Sequence, residues 1–451
     1  MSSLLETTIR AYICLGMFLY TIIIAFNGED CLSWFNALNV FTFLFYAMIL
    51  WGSSNWDEIH YSSKNLGLTI FVYSIFVLAL YLLISDYYTG NTFMFSEEDA
   101  RKYEKGCFSR LDIPFTEWIP DMIRRKVEYG DWGAGIILSL MVHIIPSKLF
   151  VNFCYVVLNT MTGICLFEIG KTIMHCRYAY LAALAYSISS YCFFFMGSFL
   201  KEIIFVFWVV LSIYFLYLYY QHNRLRYALL GGITSLVIIF FRPPVALFVW
   251  MAFIAMFFFK VKNGVFRSIA ILVILVAFVS AFGMLKETSD KYANGGDLTE
   301  SYEFKRTNSF QKAVLYAGSL IGPFPQLLQI GDDITYKPIF GSGLLFKLLL
   351  FFAFWKGLWY AVKKQRTEVI PIYAFVLSEV LALCVALDGL ELRKSMPHMP
   401  FAILAAFWFL SAIDKCTESD ESRSLQHLQT LRQFKVCIII VLGAALVWNW
   451  R

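Results

Sequence analysis

Residues able to do chemistry gather in a few short stretches of an otherwise apolar chain. They are Glu98, Asp99 and Tyr103 in MFSEEDARKYEKG (94–106), Lys201 and Glu202 in GSFLKE, Arg242 in FFRPP, and Arg393, Lys394 and His398 in LRKSMPHMP. A carboxylate within hydrogen-bond reach of a hydroxyl can take its proton during an attack. Arg and Lys hold phosphate, Arg through a planar fork and Lys as a point charge. Together these types suit a hydroxyl attacking a carbon whose leaving group is a phosphate, with fixed cations stabilising the charge that gathers on the leaving oxygen. One base is enough for such an inverting transfer, whereas a hydrolase would present two carboxylates flanking the bond.

Each stretch also has a plainer reading. Ser96 and Asp99 have capping-box spacing, with Asp99 at the third helical position, and Glu98 and Lys102 are spaced i,i+4 as a surface pair. Lys201 then snorkels from a tight turn, Arg242 precedes a Pro-Pro bend, and the cations near residue 393 anchor an interface. If Asp99 only starts a helix, Glu98, Glu202 and Asp131 are the next carboxylates to consider as the base.

What must position these residues is a membrane bundle. The chain has 451 residues, 59% hydrophobic and only 15% charged, far from the roughly one-quarter charged share of a soluble domain. Apolar runs of spanning length, or slightly shorter, lie at 11–27, 32–51, 67–86, 149–170, 178–195, 203–220, 227–241, 245–259, 268–285, 343–361, 370–388, 400–414 and 433–448,. This predicts an all-α polytopic protein with about thirteen transmembrane helices, read as one integral membrane domain over 1–451. With the N-terminus inside, Arg10, Lys64, Lys171, Arg177, Arg224, Arg226, Lys260, Lys262, Arg267, Lys363, Lys364, Arg366, Lys415, Arg423, Arg432 and Lys435 fall on the cytoplasmic side. The short outer connections hold only Lys201, Arg242, Arg393 and Lys394, so the positive-inside rule orients the chain. The long loops 87–148 and 286–342 then lie outside. The stretch GDWGAGIILSLMVHIIP in the first suits a helix lying in the outer interface, and PFP in the second makes a rigid elbow. Cations on three outer connections oppose the positive-inside bias and sit at the depth of a lipid-linked phosphate.

Most cysteines fall in spans or at the inner face, leaving Cys31 and Cys107 on the oxidising side, where a disulfide between them stays open,. The chain has no C-x-x-C pair, P-loop or G-x-G-x-x-G, and its scattered histidines argue against zinc. No motif calls for a cofactor, and a divalent cation stays open. The modest net charge of +5 reads as topology and excludes a nucleic-acid footprint,.

The order of these features resembles the GT-C superfamily: an acidic residue followed by Ala and, four positions on, Tyr (Asp99, Ala100, Tyr103) in an early outer loop, then an interface helix, GSFLKE opening a span, FRPP between spans, PFP, and LRKSMPHMP before a late span. The likeness covers about residues 67–415 and is closest to bacterial enzymes of the dolichyl-phosphate-mannose-protein-mannosyltransferase-like kind. It implies a polytopic glycosyltransferase of a bacterial inner membrane. The donor would be a polyprenyl-phosphate-linked sugar and the acceptor a glycan or lipid. The base falls on Asp99, with Glu98 beside it, and substrate contacts fall on Tyr103, Lys201, Glu202, Arg242, Arg393, Lys394 and His398. The acidic loop here follows the third span, where family members place it after the first. Lys201 and Glu202 stand where a second acidic motif is usual. Both departures point to a polysaccharide polymerase or ligase variant in which cations replace a metal. A lipid-linked oligosaccharide flippase is the alternative, resting on Glu168, Glu379 and Lys347, although a transporter is expected to carry its charges deeper within spans.

Overall fold

The computed structural model describes residues 31–53, 56–90, 97–260, 341–387 and 392–414, with isolated positions at 268, 272, 432, 433, 435 and 436. Among the described residues every regular element is helical. The helices are α1 (Cys31–Gly52), α2 (Ser63–Thr89), α3 (Glu97–Phe108), α4 (Trp118–Arg124), α5 (Trp132–Ile144), α6 (Lys148–Ile173), α7 (Cys176–Ser187), α8 (Ser190–Gly197), α9 (Glu202–His222), α10 (Leu225–Ile239), α11 (Pro243–Lys260), α12 (Gly341–Lys363), α13 (Ile370–Leu387), α14 (Leu392–Ser395) and α15 (Met399–Asp414).

Among the described residues three helices are long and apolar enough to cross a membrane, over Ser63–Tyr88, Lys148–Ile173 and Glu202–His222; α7 and α8, bent by 43° at their break, pass the same test together as a broken span or a re-entrant loop. The remaining expected segments between 32 and 51, 227 and 259, and 343 and 414 coincide with helices, several of them shorter than a full span. The expected spans at 11–27, 268–285 and 433–448, and the PFP elbow with most of 286–342, lie outside the described residues.

Local chemistry sets the helix ends. Ser62 caps α2 by accepting from the Asn65 amide, and α2 stops at Gly90, whose φ of +65° suits a residue without Cβ,. The Pro-Pro pair places Pro243 at the first position of α11, where its missing N–H costs nothing,. The break between α7 and α8 frees the Ser187 carbonyl, which accepts from Asn159 Nδ2 on α6 at 2.9 Å; a broken helix is tolerated in an apolar setting when a neighbour re-satisfies its backbone.

α7, α8, the first half of α9 and α15 are almost wholly buried and form the centre. Around them α6 packs on α7 and α9, α10 on α9, α11 on α13, and α12 on α15. Gly170 lets α6 approach α7, since a Cβ there would lie 2.6 Å from the Ala179 Cβ; small residues at crossings are how membrane helices gain close packing. Polar side chains turn inward, as where Ser212 donates to the Gly231 carbonyl at 2.9 Å and Trp250 donates to Ser235 at 2.9 Å. Leu44, Met48, Leu68, Val72, Leu83, Ile233 and Leu236 face outward. Such a surface would aggregate in water and is neutral against lipid.

Candidate functional site

At one end of the bundle α3, α4 and α5 form a polar-stapled cap. Arg110, 3% exposed, donates from Nε to Asp121 at 3.3 Å and from Nη1 to Ser139 at 3.2 Å, while Arg125 reaches the other Asp121 oxygen at 2.9 Å. The cap is tied to the start of α6 by Lys148 and Glu104 at 2.5 Å. Ala100 and Cys107, seven residues apart on α3, are buried, so that face of the helix is seated against the bundle and Asp99 stands at its half-exposed edge. The stretch GDWGAGIILSLMVHIIP forms the helix α5, which packs on α3 and α6 and leaves Leu140 and Ile144 exposed.

Against this cap the structure brings together side chains from distant segments. Arg393 on α14 donates from Nη1 to Asp99 Oδ2 at 2.5 Å and from Nε to Glu202 Oε1. Arg242, in the α10–α11 turn, donates from Nη2 to the same Glu202 oxygen at 3.2 Å and from Nη1 to the Arg393 carbonyl at 3.2 Å. Alongside, Lys201 pairs with Asp131, and Tyr103 donates to the same Asp131 oxygen at 2.7 Å. Lys201 also donates to the carbonyls of Gly130 at 3.0 Å and Phe241 at 3.2 Å, so its donors are all engaged. Phe199, two residues earlier, holds a φ of +57°, a left-handed conformation costly for a bulky residue. It lies in the turn that aims Lys201 and Glu202.

The electrostatics follow from this packing. Burial opposes the charge on Arg393, but Glu202 and Asp99 outweigh it and raise its pKa further. Burial also opposes ionisation of Asp131, yet Lys201, Tyr103 and Arg393 hold its carboxyl below the ordinary range. Burial lowers the Lys201 pKa despite Asp131. Burial, with Asp131 and Glu202 nearby, raises that of Tyr103, which stays a phenol donor. Three carboxylates (Asp99, Asp131, Glu202) formally balance three cations (Lys201, Arg242, Arg393).

Burial grades inward. The Asp99 side chain is 46% exposed, Arg393 27%, Arg242 20% and Glu202 0%. Glu202 Oε2 and the Tyr155 hydroxyl are buried with no hydrogen-bond partner among the described residues, and Tyr155 lies close enough to feel the Glu202 charge.

The expected residues not drawn into direct contact have clear places. Glu98 lies in the first turn of α3, with its side chain outside the described set, and Ser96 lies outside it altogether. The partner found for Lys102 is Asp99, at 3.8 Å. Lys394 is partly exposed beside Arg393. His398 is fully buried behind the cluster, with Nδ1 at 3.6 Å from an oxygen of buried Glu379. Glu168 belongs to the opposite end, bonded to Ser63 and Lys171, and the Lys347 side chain is not described. The Cys31–Cys107 bridge left open by the sequence is not formed: Cys107 is a buried free thiol donating to the Glu104 carbonyl at 3.2 Å. The Tyr155 contribution carries no sequence signal, since it sits in an apolar run like any core tyrosine.

One grouping among the described residues has metal-ligand chemistry. Glu58, His175 and Cys176 place their ligand atoms within 4.8 Å of one another at the far end of the bundle. There His175 Nδ1 accepts from the Arg177 amide at 3.3 Å, so the proton sits on Nε2, which faces Glu58 at 3.6 Å. In that tautomer the imidazole is a neutral donor towards Glu58, and a metal at Nε2 would require the proton to move to Nδ1.

Compared with models of protein families, with curated proteins and with solved structures, the chain has no match in any of the three.

Proposed function

We propose that this chain is an inverting glycosyltransferase acting at the outer face of a bacterial inner membrane. On this reading it moves a sugar or oligosaccharide from a polyprenyl-phosphate-linked donor to a glycan or lipid acceptor in cell-surface polysaccharide or glycolipid synthesis. The observation that carries the reading is the convergence of Asp99, Glu202, Arg242 and Arg393, from four separate segments, at one end of an apolar bundle.

Arg242 and Arg393 hold the donor phosphate, with their forks fixed by buried Glu202 and by the Arg393 carbonyl. Asp99, at the exposed edge, takes the proton of the acceptor hydroxyl as its oxygen bonds to the anomeric carbon. The bond from that carbon to the phosphate oxygen breaks, and its electron pair stays on phosphate, where the two guanidinium groups stabilise it. Lys201, saturated by Asp131 and two carbonyls, fixes the cap to the bundle instead of binding donor. The arginines supply the charge that a divalent cation would otherwise bring, so transfer is expected to persist in a chelator. On the expected thirteen-span arrangement with the N-terminus inside, this end would lie outside.

The test is transfer by purified protein from a short-chain polyprenyl-phosphate sugar to a glycan acceptor. Activity that disappears in Arg242→Ala while the protein stays inserted and monodisperse supports the reading. Unchanged activity in that variant reduces Arg242 to a turn residue and removes the phosphate site.

A further inference from the structure

The site is charge-balanced as it stands, which poses a problem for any anionic ligand. Arg393 already spends Nη1 on Asp99 and Nε on Glu202, so a phosphate held by two nitrogens of this fork, Nη2 and one other, competes with a carboxylate for the second. The two carboxylates differ in how easily they yield. Glu202 is wholly buried and receives both arginines on one oxygen; moving it would leave two guanidinium groups facing each other with no anion between them. Asp99 is 46% exposed, holds Arg393 through a single fork nitrogen, and has a second cation, Lys102, 3.8 Å away on its own helix. An exposed ion pair is worth little, and exchanging one cation for a neighbouring one costs less still.

Resting on the transferase reading above, we propose that Asp99 occupies the donor phosphate's place on Arg393 and that donor binding itself displaces it. The phosphate takes the Arg393 Nη1 fork position, Asp99 turns towards Lys102, and its freed oxygens face the acceptor hydroxyl. The base is thereby covered until the leaving group is in place. Wasteful activation of an acceptor or of water in an empty site is avoided. Glu202 stays as the fixed anion that keeps Arg242 and Arg393 side by side, and with Asp99 gone the pair carries the net positive charge a phosphate needs.

The exchange predicts that Asp99 weakens phosphate binding even though it is required for transfer. A site whose competent state is populated about one tenth of the time binds roughly tenfold more weakly than one held open. Binding of farnesyl monophosphate to the full-length protein in detergent micelles would be measured for wild type, Asp99→Asn, Asp99→Glu, Arg393→Gln and the Asp99→Asn/Arg393→Gln double variant. Inorganic phosphate serves as a second ligand, and thermal midpoints serve as folding checks. The expected result is that Asp99→Asn binds on the order of tenfold tighter than wild type while failing to transfer, and that Asp99→Glu stays near wild-type affinity. The gain should vanish when Arg393 is absent. Asp99→Asn binding equal to or weaker than wild type would overturn the exchange. So would a gain of the same size with and without Arg393, because that marks long-range repulsion instead of competition for one fork. The same gain with inorganic phosphate supports exchange by the headgroup alone; a gain confined to inorganic phosphate overturns the lipid assignment. If farnesyl monophosphate binds neither wild type nor Asp99→Asn, the transferase reading itself fails.

Discussion

Arg242 and Asp99 are the residues on which function turns, and each has a substitution that separates chemistry from architecture. Arg242 Nη2 and Nη1 make two different bonds, so Arg242→Lys keeps the charge but loses the fork. Transfer is expected to be absent in Arg242→Ala and partly recovered in Arg242→Lys, measured as initial rates with saturating acceptor. Asp99→Asn keeps shape but cannot take a proton, so the rate should fall by on the order of a hundredfold or more. On the capping-box reading Ser96→Ala would remove a helix cap worth about 1 kcal/mol locally and should transfer nearly normally; the reverse ordering would return Asp99 to a helix start. The sequence marks Asp99, Arg242 and Arg393 because charge at the edge of an apolar run is costly without a partner. It does not reveal the partners themselves. Lys201 bonds carbonyls at Gly130 and Phe241, and backbone acceptors that distant leave no trace in side-chain pattern. Nor does it distinguish His398, which sits in the same basic stretch as Arg393 yet turns into the core beside Glu379.

The cap of α3, α4 and α5 is the element that decides where Asp99 stands. Asp121 is its keystone, because without it Arg110 would remain buried and unpaired, a situation costing about 3–5 kcal/mol. Asp121→Ala should loosen the cap, seen as faster proteolysis between residues 97 and 131, and should lower transfer with no change at the arginines. The Lys201–Asp131 pair joins cap to bundle and gives a pH signature. Asp131 has its folded-state pKa lowered, so its contribution to stability is fully present above the unfolded value of about 4 and is lost as pH falls through the folded value. The difference in thermal midpoint between wild type and Asp131→Asn should therefore hold steady from pH 7 to about pH 5 and shrink towards pH 3. A gap that does not change down to pH 3 would mean that the pair contributes nothing, and one that widens would mean that the folded state raises the Asp131 pKa instead. The sequence shows α3 and α5 as elements through capping-box spacing and an apolar run. Their mutual packing is invisible there, because it rests on Arg110, Asp121 and Ser139 meeting across loops.

At the scale of the whole molecule, hydropathy exposes the helices well because apolar length is a one-dimensional property. It does not show which helices form the centre, which follows from small residues such as Gly170 and from the bend between α7 and α8. The two ends of the bundle are distinct. α9 carries Glu202 at the clustered end, and four turns later Tyr217 donates to the Glu368 carbonyl at 2.7 Å, so the Lys363–Glu368 turn lies at the opposite end. At about 1.5 Å per residue the two levels stand some 22 Å apart along that helix, most of a hydrocarbon core of roughly 30 Å. Exposed Glu128 and Lys364 therefore report opposite faces if the bundle crosses the membrane in the orientation set by its Lys and Arg. Glu128→Cys should react in intact cells with a maleimide that cannot cross the bilayer, and Lys364→Cys should react only after the membrane is opened. Labelling of both from outside would mean that the bundle does not cross as proposed. The inverse pattern would put the Asp99–Arg393 cluster in the cytoplasm, where an outer-face donor could never reach it.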